Sequence, residues 1–110
     1  MEIALPLLVN DTMKRTVKIS VKLSIHAKEK MQSRGVKITD ISAAIKTPDS
    51  LYDDLENGTL IAIKKINGNS IIVAYKIENN GAKVITLFYT TKLNKLIRAK
   101  TARGAWKKQK

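Results

Sequence analysis

Ser24-Ile25-His26-Ala27-Lys28-Glu29-Lys30-Met31-Gln32-Ser33-Arg34-Gly35 is the stretch from which the fold of this 110-residue chain is read. Ser24 is a residue type that caps a helix start, and Gly35 is one that ends it. In a helix, His26, Lys30 and Arg34 recur every four residues. Each step drifts about 40° around a helix of 3.6 residues per turn, so the three form one tilted cationic stripe. Ala27 and Met31 lie beside it and supply a narrow apolar contact. His26 falls in the first turn, where unpaired backbone N–H groups disfavour a cationic imidazole, and Lys30 one turn on pushes the same way. A neutral imidazole beside two fixed cations can accept a proton near a bound anion. A solvated basic helix face would show the same spacing, and the stretch by itself leaves both readings open.

Working outward, Val17, Ile19, Val21, Leu23 and Ile25 alternate with Lys18, Ser20, Lys22 and Ser24. That period of two is a half-buried strand leading directly into the helix. Thr39 to Pro48 reads as a second short helix. Thr39 caps it, Asp40 suits its positive end, and Ile41, Ala44 and Ile45 form its apolar face. Pro48 turns Thr47 away from helical geometry. Leu51–Glu56, Thr59–Ile66, Ser70–Glu78 and Lys83–Thr90 follow as strands. They are divided by Asn57-Gly58, Asn67-Gly68-Asn69 and Asn79-Asn80-Gly81, residues that tolerate the positive φ of tight turns. The last two strands are fairly apolar on both faces, as central strands are. The expected class is α+β: a strand, two short helices, then an antiparallel four-stranded meander, with a basic C-terminal tail.

The expected division is an N-terminal arm over 1–15, a domain over 16–91 and a basic helix or tail over 92–110. Pro6 interrupts the arm and Asn10-Asp11 reads as a turn, so an edge strand and a partner-binding segment stay open there. Leu93, Leu96 and Ile97 suggest one or two helical turns. No cysteine is present and there is one histidine, so thiolate sites and a zinc site built of imidazoles are excluded. Asp49, Asp53, Asp54 and Glu56 match no calcium-loop spacing and read as strand and turn ends, so neither metal nor cofactor is expected. The apolar start lacks a cationic leader, and no stretch reaches membrane-spanning length. A cytoplasmic protein is therefore expected.

Charge is the strongest compositional signal. The chain has 21 Lys and Arg against 9 Asp and Glu, a formal net charge of +12. After Glu78 there is no acid, while Lys83, Lys92, Lys95, Arg98, Lys100, Arg103, Lys107, Lys108 and Lys110 follow. Such a field attracts polyanions, and RNA or another nucleic acid is the expected partner. Lys76, Lys92, Lys95, Arg98, Lys100 and Arg103 are its candidate contacts. Trp106 among these cations either stacks on a base or packs back on the domain.

Read together, His26-Ala27, Lys30-Met31, Arg34-Gly35-Val36, the Ile41…Ile45…Pro48 helix and Val84-Ile85-Thr86-Leu87-Phe88-Tyr89 resemble a small prokaryotic domain family of unassigned function. Its members read His-Ala-x-x-Arg-Met-x-x-Arg-Gly-Ile, then a helix ending in Pro, then strands closing on a Val-Ile-Thr-x-Tyr-like segment. That family looks like a branch of the RelE, ParE and BrnT toxin group, which is similar in fold to the barnase, colicin and EndoU-like ribonucleases. The likeness covers residues 18–90. It departs at Lys30, where the family prefers Arg; a lysine is a point charge without the bidentate grip of a guanidinium.

The resemblance implies a RelE/barnase-like layout and a toxin-like, metal-independent ribonuclease. In that chemistry the 2′-hydroxyl attacks the adjacent phosphate. His26 would transfer the proton, Lys30 and Arg34 would neutralise the phosphate, and Lys76 and Thr86 would open to the same cleft. Tyr89 offers a phenol, although simple alternation sets Thr86 and Tyr89 on opposite faces unless a bulge intervenes. An acidic antitoxin is the implied protein partner. Two alternatives stand beside this one: a non-catalytic nucleic-acid-binding module of the same fold, and a basic interaction protein docking on an acidic partner.

Overall fold

Ser24 is the hinge between the two backbone periods. In the computed structural model, which describes residues 2–10, 15–79 and 81–109, its hydroxyl accepts the Ala27 N–H at 3.0 Å and donates to the Ile85 carbonyl at 3.0 Å. Its own N–H donates to the Val84 carbonyl at 2.9 Å. The strand therefore stops at Leu23, and Ile25, expected on the strand's apolar face, starts a helix with 77% of its surface exposed. The cap wins because one hydroxyl satisfies a helix-end donor and a bulged strand carbonyl together.

The elements run β1 (Glu2–Asn10), β2 (Arg15–Leu23), α1 (Ile25–Ser33), α2 (Ile38–Lys46), β3 (Ser50–Asp54), β4 (Thr59–Ile66), β5 (Asn69–Glu78), β6 (Gly81–Thr90), α3 (Leu93–Ala102) and β7 (Trp106–Lys108). Helix α1 ends as Gly35 takes φ +62° and the Val36 N–H reaches back to the Met31 carbonyl at 3.0 Å. Glycine enters that left-handed region without strain. Helix α2 corrects an expectation: it begins at Ile38, its cap is Lys37, and no side chain closes its first turn. Thr39 lies inside it. The Lys37 N–H donates to the Tyr89 hydroxyl at 3.4 Å, a tertiary contact that ties the start of α2 to β6.

The class is α+β, but the sheet is larger than a four-stranded meander. Among the described residues it has seven strands in the order β1-β2-β6-β5-β4-β3-β7. Strands β3 to β6 are antiparallel neighbours, and β2 pairs parallel with β6 through Val21↔Ala82 and Leu23↔Val84. Parallel pairing needs a long crossover, which α1 to β5 provide. Asn67 and Gly68, at φ +45° and +85°, close the β4–β5 hairpin as a two-residue primed turn requires. At the N-terminus β1 joins the sheet as an edge strand against β2. The C-terminal segment is likewise not a tail: α3 runs for ten residues, and β7 pairs antiparallel with β3. The expected Asn10-Asp11 turn lies partly, and Asn80 and the side chains of Val17 and Ile19 wholly, outside the described residues.

Two cores flank the sheet. On one face α1 and α2 pack Ala27, Ile41, Ala44 and Ile45 over Ala62, Ile71, Val73, Val84 and Leu87. On the other, Ala105 and Trp106 pack with Tyr52, Ile61, Ile63, Ile72 and Ala74, joined by partly buried Phe88, Leu93, Leu96 and Ile97. No helix among the described residues is long and apolar enough to cross a membrane.

Candidate functional site

Strand β6 carries one extra residue. Tyr75 faces Val84 and Ala74 faces Thr86, so Ile85 is bulged out of the ladder. A bulge lets neighbouring side chains share a face that alternation would deny them. Ile85 and Thr86 accordingly both line a cleft of about 590 Å³ on the sheet face opposite α1 and α2. Its floor is apolar: Ile61, Ile72, Ala74, Phe88 and Leu96. His26 and Lys76 stand in its lining near that bulge, with Asp54, Asn57, Thr59, Lys100 and Trp106 supplying the rest.

His26 reaches the cleft because Ser24 anchors α1 to the bulge. The helix begins one residue beyond the Ser24–Ile85 hydrogen bond, so its second residue overhangs the open face. One turn on, Lys30 places its Nζ 5.9 Å from the centre of the Phe88 ring. That range permits cation–π attraction, worth about 0.5–1 kcal/mol at exposed sites. Arg34, a further turn along, is exposed at the C-terminal cap and outside the cleft lining. The stripe thus brings one member, His26, into the cleft lining and a second, Lys30, near the Phe88 ring without lining the cleft.

Thr86 and Tyr89 do not share a cleft. The bulge precedes Thr86, so simple alternation holds from Thr86 to Tyr89 and sends the phenol to the helix face. There Tyr89 donates to Asp40 Oδ2 at 2.5 Å and accepts from the Lys37 N–H. Burial, its donation to Asp40 and the charge of that carboxylate raise the phenol's pKa. Tyr89 is a bracket between β6 and α2. Tyr75 on the same face is also raised, by burial.

Of the candidate nucleic-acid contacts, Lys76 and Lys100 line the cleft, and Lys92 and Lys95 line an adjoining cavity of about 380 Å³. Arg98 is exposed on α3 outside both linings, and Arg103 pairs with Glu56 at 3.1 Å. Trp106 takes the second of its two expected places, packed back on the domain, while also lining the cleft. Only 6% exposed, it packs on Tyr52 with ring centres 5.6 Å apart, since β7 pairs with β3 and turns the indole inward. Phe88 is the half-buried ring that faces the cleft. Its signal in the sequence was an apolar residue on the strand face that carries Thr86, a face that reads as ordinary core.

The acidic patch has a structural use. Asp54 Oδ1 accepts the Glu56 and Asn57 N–H groups at 3.0 Å each, and Oδ2 accepts the Asn57 amide at 2.9 Å. Burial pushes its carboxyl up, but the hydrogen bonds from Asn57 and Glu56, with the Lys100 charge, hold it below the usual carboxylate range. Asp53 accepts from Gln109 at 2.7 Å, and Glu56 takes Arg103. These acids clasp the basic C-terminal segment to the β3–β4 turn.

An imidazole, a hydroxyl and ammonium groups therefore converge on an apolar floor. This chemistry can move a proton and balance negative charge on a ligand with an apolar or planar part. A family described as domain of unknown function, DUF4258, matches residues 23–89. The chain belongs to that family. The match runs from the last residue of β2 through Tyr89, so it spans α1, the bulge and most of the cleft floor, and leaves out α3 and β7. No curated protein and no solved structure matched the chain.

Proposed function

We propose that this DUF4258 domain is a toxin-like, metal-independent ribonuclease with a RelE/barnase-like layout. The observation that carries the reading is the bulge of β6, which sets Thr86 beside His26 and Lys76 at one open cleft. In the proposed step the 2′-hydroxyl loses its proton to the His26 imidazole as its oxygen attacks the adjacent phosphorus. The bond from phosphorus to the 5′ oxygen breaks, and that oxygen takes a proton from water. The products are a 2′,3′-cyclic phosphate and a free 5′-hydroxyl. Lys30 and Lys76 offset the charge that grows on the phosphoryl oxygens, and Thr86 donates a hydrogen bond to one of them. Arg34, outside the cleft, meets the RNA backbone farther along.

The net charge of +12 supports a polyanionic substrate and, between substrates, an acidic antitoxin as the protein that covers the cleft. One observation favours a second reading, a non-catalytic nucleic-acid-binding module. Among the described residues Asp54 is the one acid in the cleft lining, and both its oxygens accept hydrogen bonds from Glu56 and Asn57, so none of these residues offers His26 an uncommitted carboxylate from the lining.

Incubating the purified protein with RNA and assaying 2′,3′-cyclic phosphate ends separates the two. His26→Ala should lower cleavage by about 10²–10⁴-fold with folding unchanged, and EDTA should leave the rate as it is. Cleavage that persists in His26→Ala removes the proposed base. Salt-sensitive binding without cleavage leaves the binding module.

A further inference from the structure

Phe88 occupies a place that the proton-transfer chemistry does not use. It lines both the cleft and the adjoining cavity at the first turns of α3, and Leu96 is the other residue common to both. The two spaces meet at this ring. Lys30 stands over it from α1, while Lys92 and Lys95 line the cavity beyond it. Among the described residues Asp54 is the single acid lining either space, and its oxygens are already hydrogen-bonded. A half-buried aromatic ring with one ammonium group near it from α1 and two more along the cavity it lines fits a ligand that alternates planar apolar groups with negative charge.

We propose that this path takes single-stranded RNA, with one base stacked on Phe88 and the flanking phosphates held by Lys30 on one side and by Lys92 and Lys95 on the other. The choice of RNA rests on the ribonuclease reading; the stacking geometry does not. A base inside a duplex is stacked on its own neighbours and cannot present a free face to a ring at the bottom of a groove. An acidic peptide would neutralise the lysines but offers no planar group at regular spacing to cover Phe88. Single-stranded substrate is therefore selected by access to the ring, and the cations supply attraction without sequence preference.

The test uses the full chain and a short 2′-O-methyl oligonucleotide, which has no free 2′-hydroxyl and so reports binding independently of cleavage. Phe88→Leu keeps an apolar side chain but removes the ring, and Phe88→Trp keeps a ring. Stacking is worth about 1–3 kcal/mol per base, so Phe88→Leu should weaken single-strand binding by about 5- to 150-fold. Phe88→Trp should restore it. The loss should vanish for a strand of abasic sugars and for a duplex of the same sequence. Should Phe88→Leu fold poorly, irradiation of the wild-type protein with a 5-iodouracil strand should give a cross-link that peptide mapping assigns to Phe88. Unchanged affinity in folded Phe88→Leu, a cross-link confined to other residues, or polyglutamate binding with the same Phe88 dependence would each overturn the proposal. If the Phe88 dependence holds while His26→Ala still cleaves, the substrate class stands and the catalytic assignment falls.

Discussion

The two faces of this sheet are covered in opposite ways. On the α1–α2 face the helices contribute buried Ala27, Ile41, Ala44 and Ile45, and the strands beneath contribute Ile71, Val73 and Leu87, all fully buried. On the other face α3 contributes no buried residue; Leu93, Leu96 and Ile97 are only partly covered. The α3–β7 segment is held where Ala105 and Trp106 bury against Tyr52 and its neighbours, and at its side by the β3–β7 pairing, Asp53 with Gln109 and Glu56 with Arg103. Among the described residues the two buried side-chain polar atoms without a partner, Thr59 Oγ1 and Trp106 Nε1, belong to residues lining the cleft on this second face. The difference assigns work. One face is closed by its helices, whereas the other, with Ile61, Ile63 and Ile72 buried beneath, leaves Phe88 and Leu96 partly uncovered, and a partly uncovered apolar surface is where a ligand gains from contact.

The comparison is broken most directly by truncating one side chain on each face. Ile71→Ala on the helix face should cost about 2–5 kcal/mol, because the lost transfer energy is joined by a cavity that rigid neighbours cannot fill. Leu96→Ala on the α3 face should cost about 1 kcal/mol or less, since a partly covered side chain has less contact to lose. Urea midpoints of the two variants at equal m-value give the answer. Equal losses would mean that α3 is as much part of the core as α1 and α2.

The second test sharpens the comparison through pH. Asp54 ionises more readily in the folded chain than its usual value allows. Its contribution to stability is therefore full above the unfolded-state value and is lost as pH falls through the folded-state value. Asp54→Asn keeps an acceptor but no charge, and at pH 7 it should cost about 1–2 kcal/mol. Towards acid the gap to wild type should close. Because Asp54 sits where the C-terminal segment docks, the acid loss should be accompanied by earlier hydrogen exchange in β7 than in β5. A constant gap across the acid limb would show that the charge is immaterial there.

Much of this contrast was legible in the residues. The α1–α2 face was, because Ile41, Ala44 and Ile45 repeat at helical spacing and Ser24 and Gly35 bracket α1. The α3 face was less so. Leu93, Leu96 and Ile97 gave the helix, but Lys107 and Lys108 hid β7 inside a basic run, since an edge strand tolerates lysine. Strand β1 was obscured in a similar way by Pro6, which a sheet accepts only at an edge. For the candidate site, spacing singled out His26 and Lys30 while leaving their role open, whereas it did not single out Phe88. Nothing local distinguishes a ring under a core from one under a cleft; that depends on how far α3 reaches across the sheet. The bulge at Ile85 was equally hidden, because it is stabilised by Ser24, sixty-one residues away in the chain.

The smallest effect separates Thr86 from Tyr89, three residues apart on one strand and on opposite faces. Tyr89→Phe removes the hydrogen bonds to Asp40 and to the Lys37 N–H while keeping the ring in place. Water reaches this partly buried site, so the cost should be about 0.5–1.5 kcal/mol, with RNA cleavage and binding unchanged. The pH dependence adds a signature. A phenol raised in the folded state contributes stability that is full below the unfolded-state value and lost as pH climbs through the folded one. Tyr89→Phe should thus flatten part of the alkaline limb, with Tyr75 retaining the rest. Thr86→Val should do the reverse, leaving both pH limbs alone and lowering cleavage. If Tyr89→Phe lowered cleavage as well, the two faces would be coupled through β6, and the division of labour between them would fail.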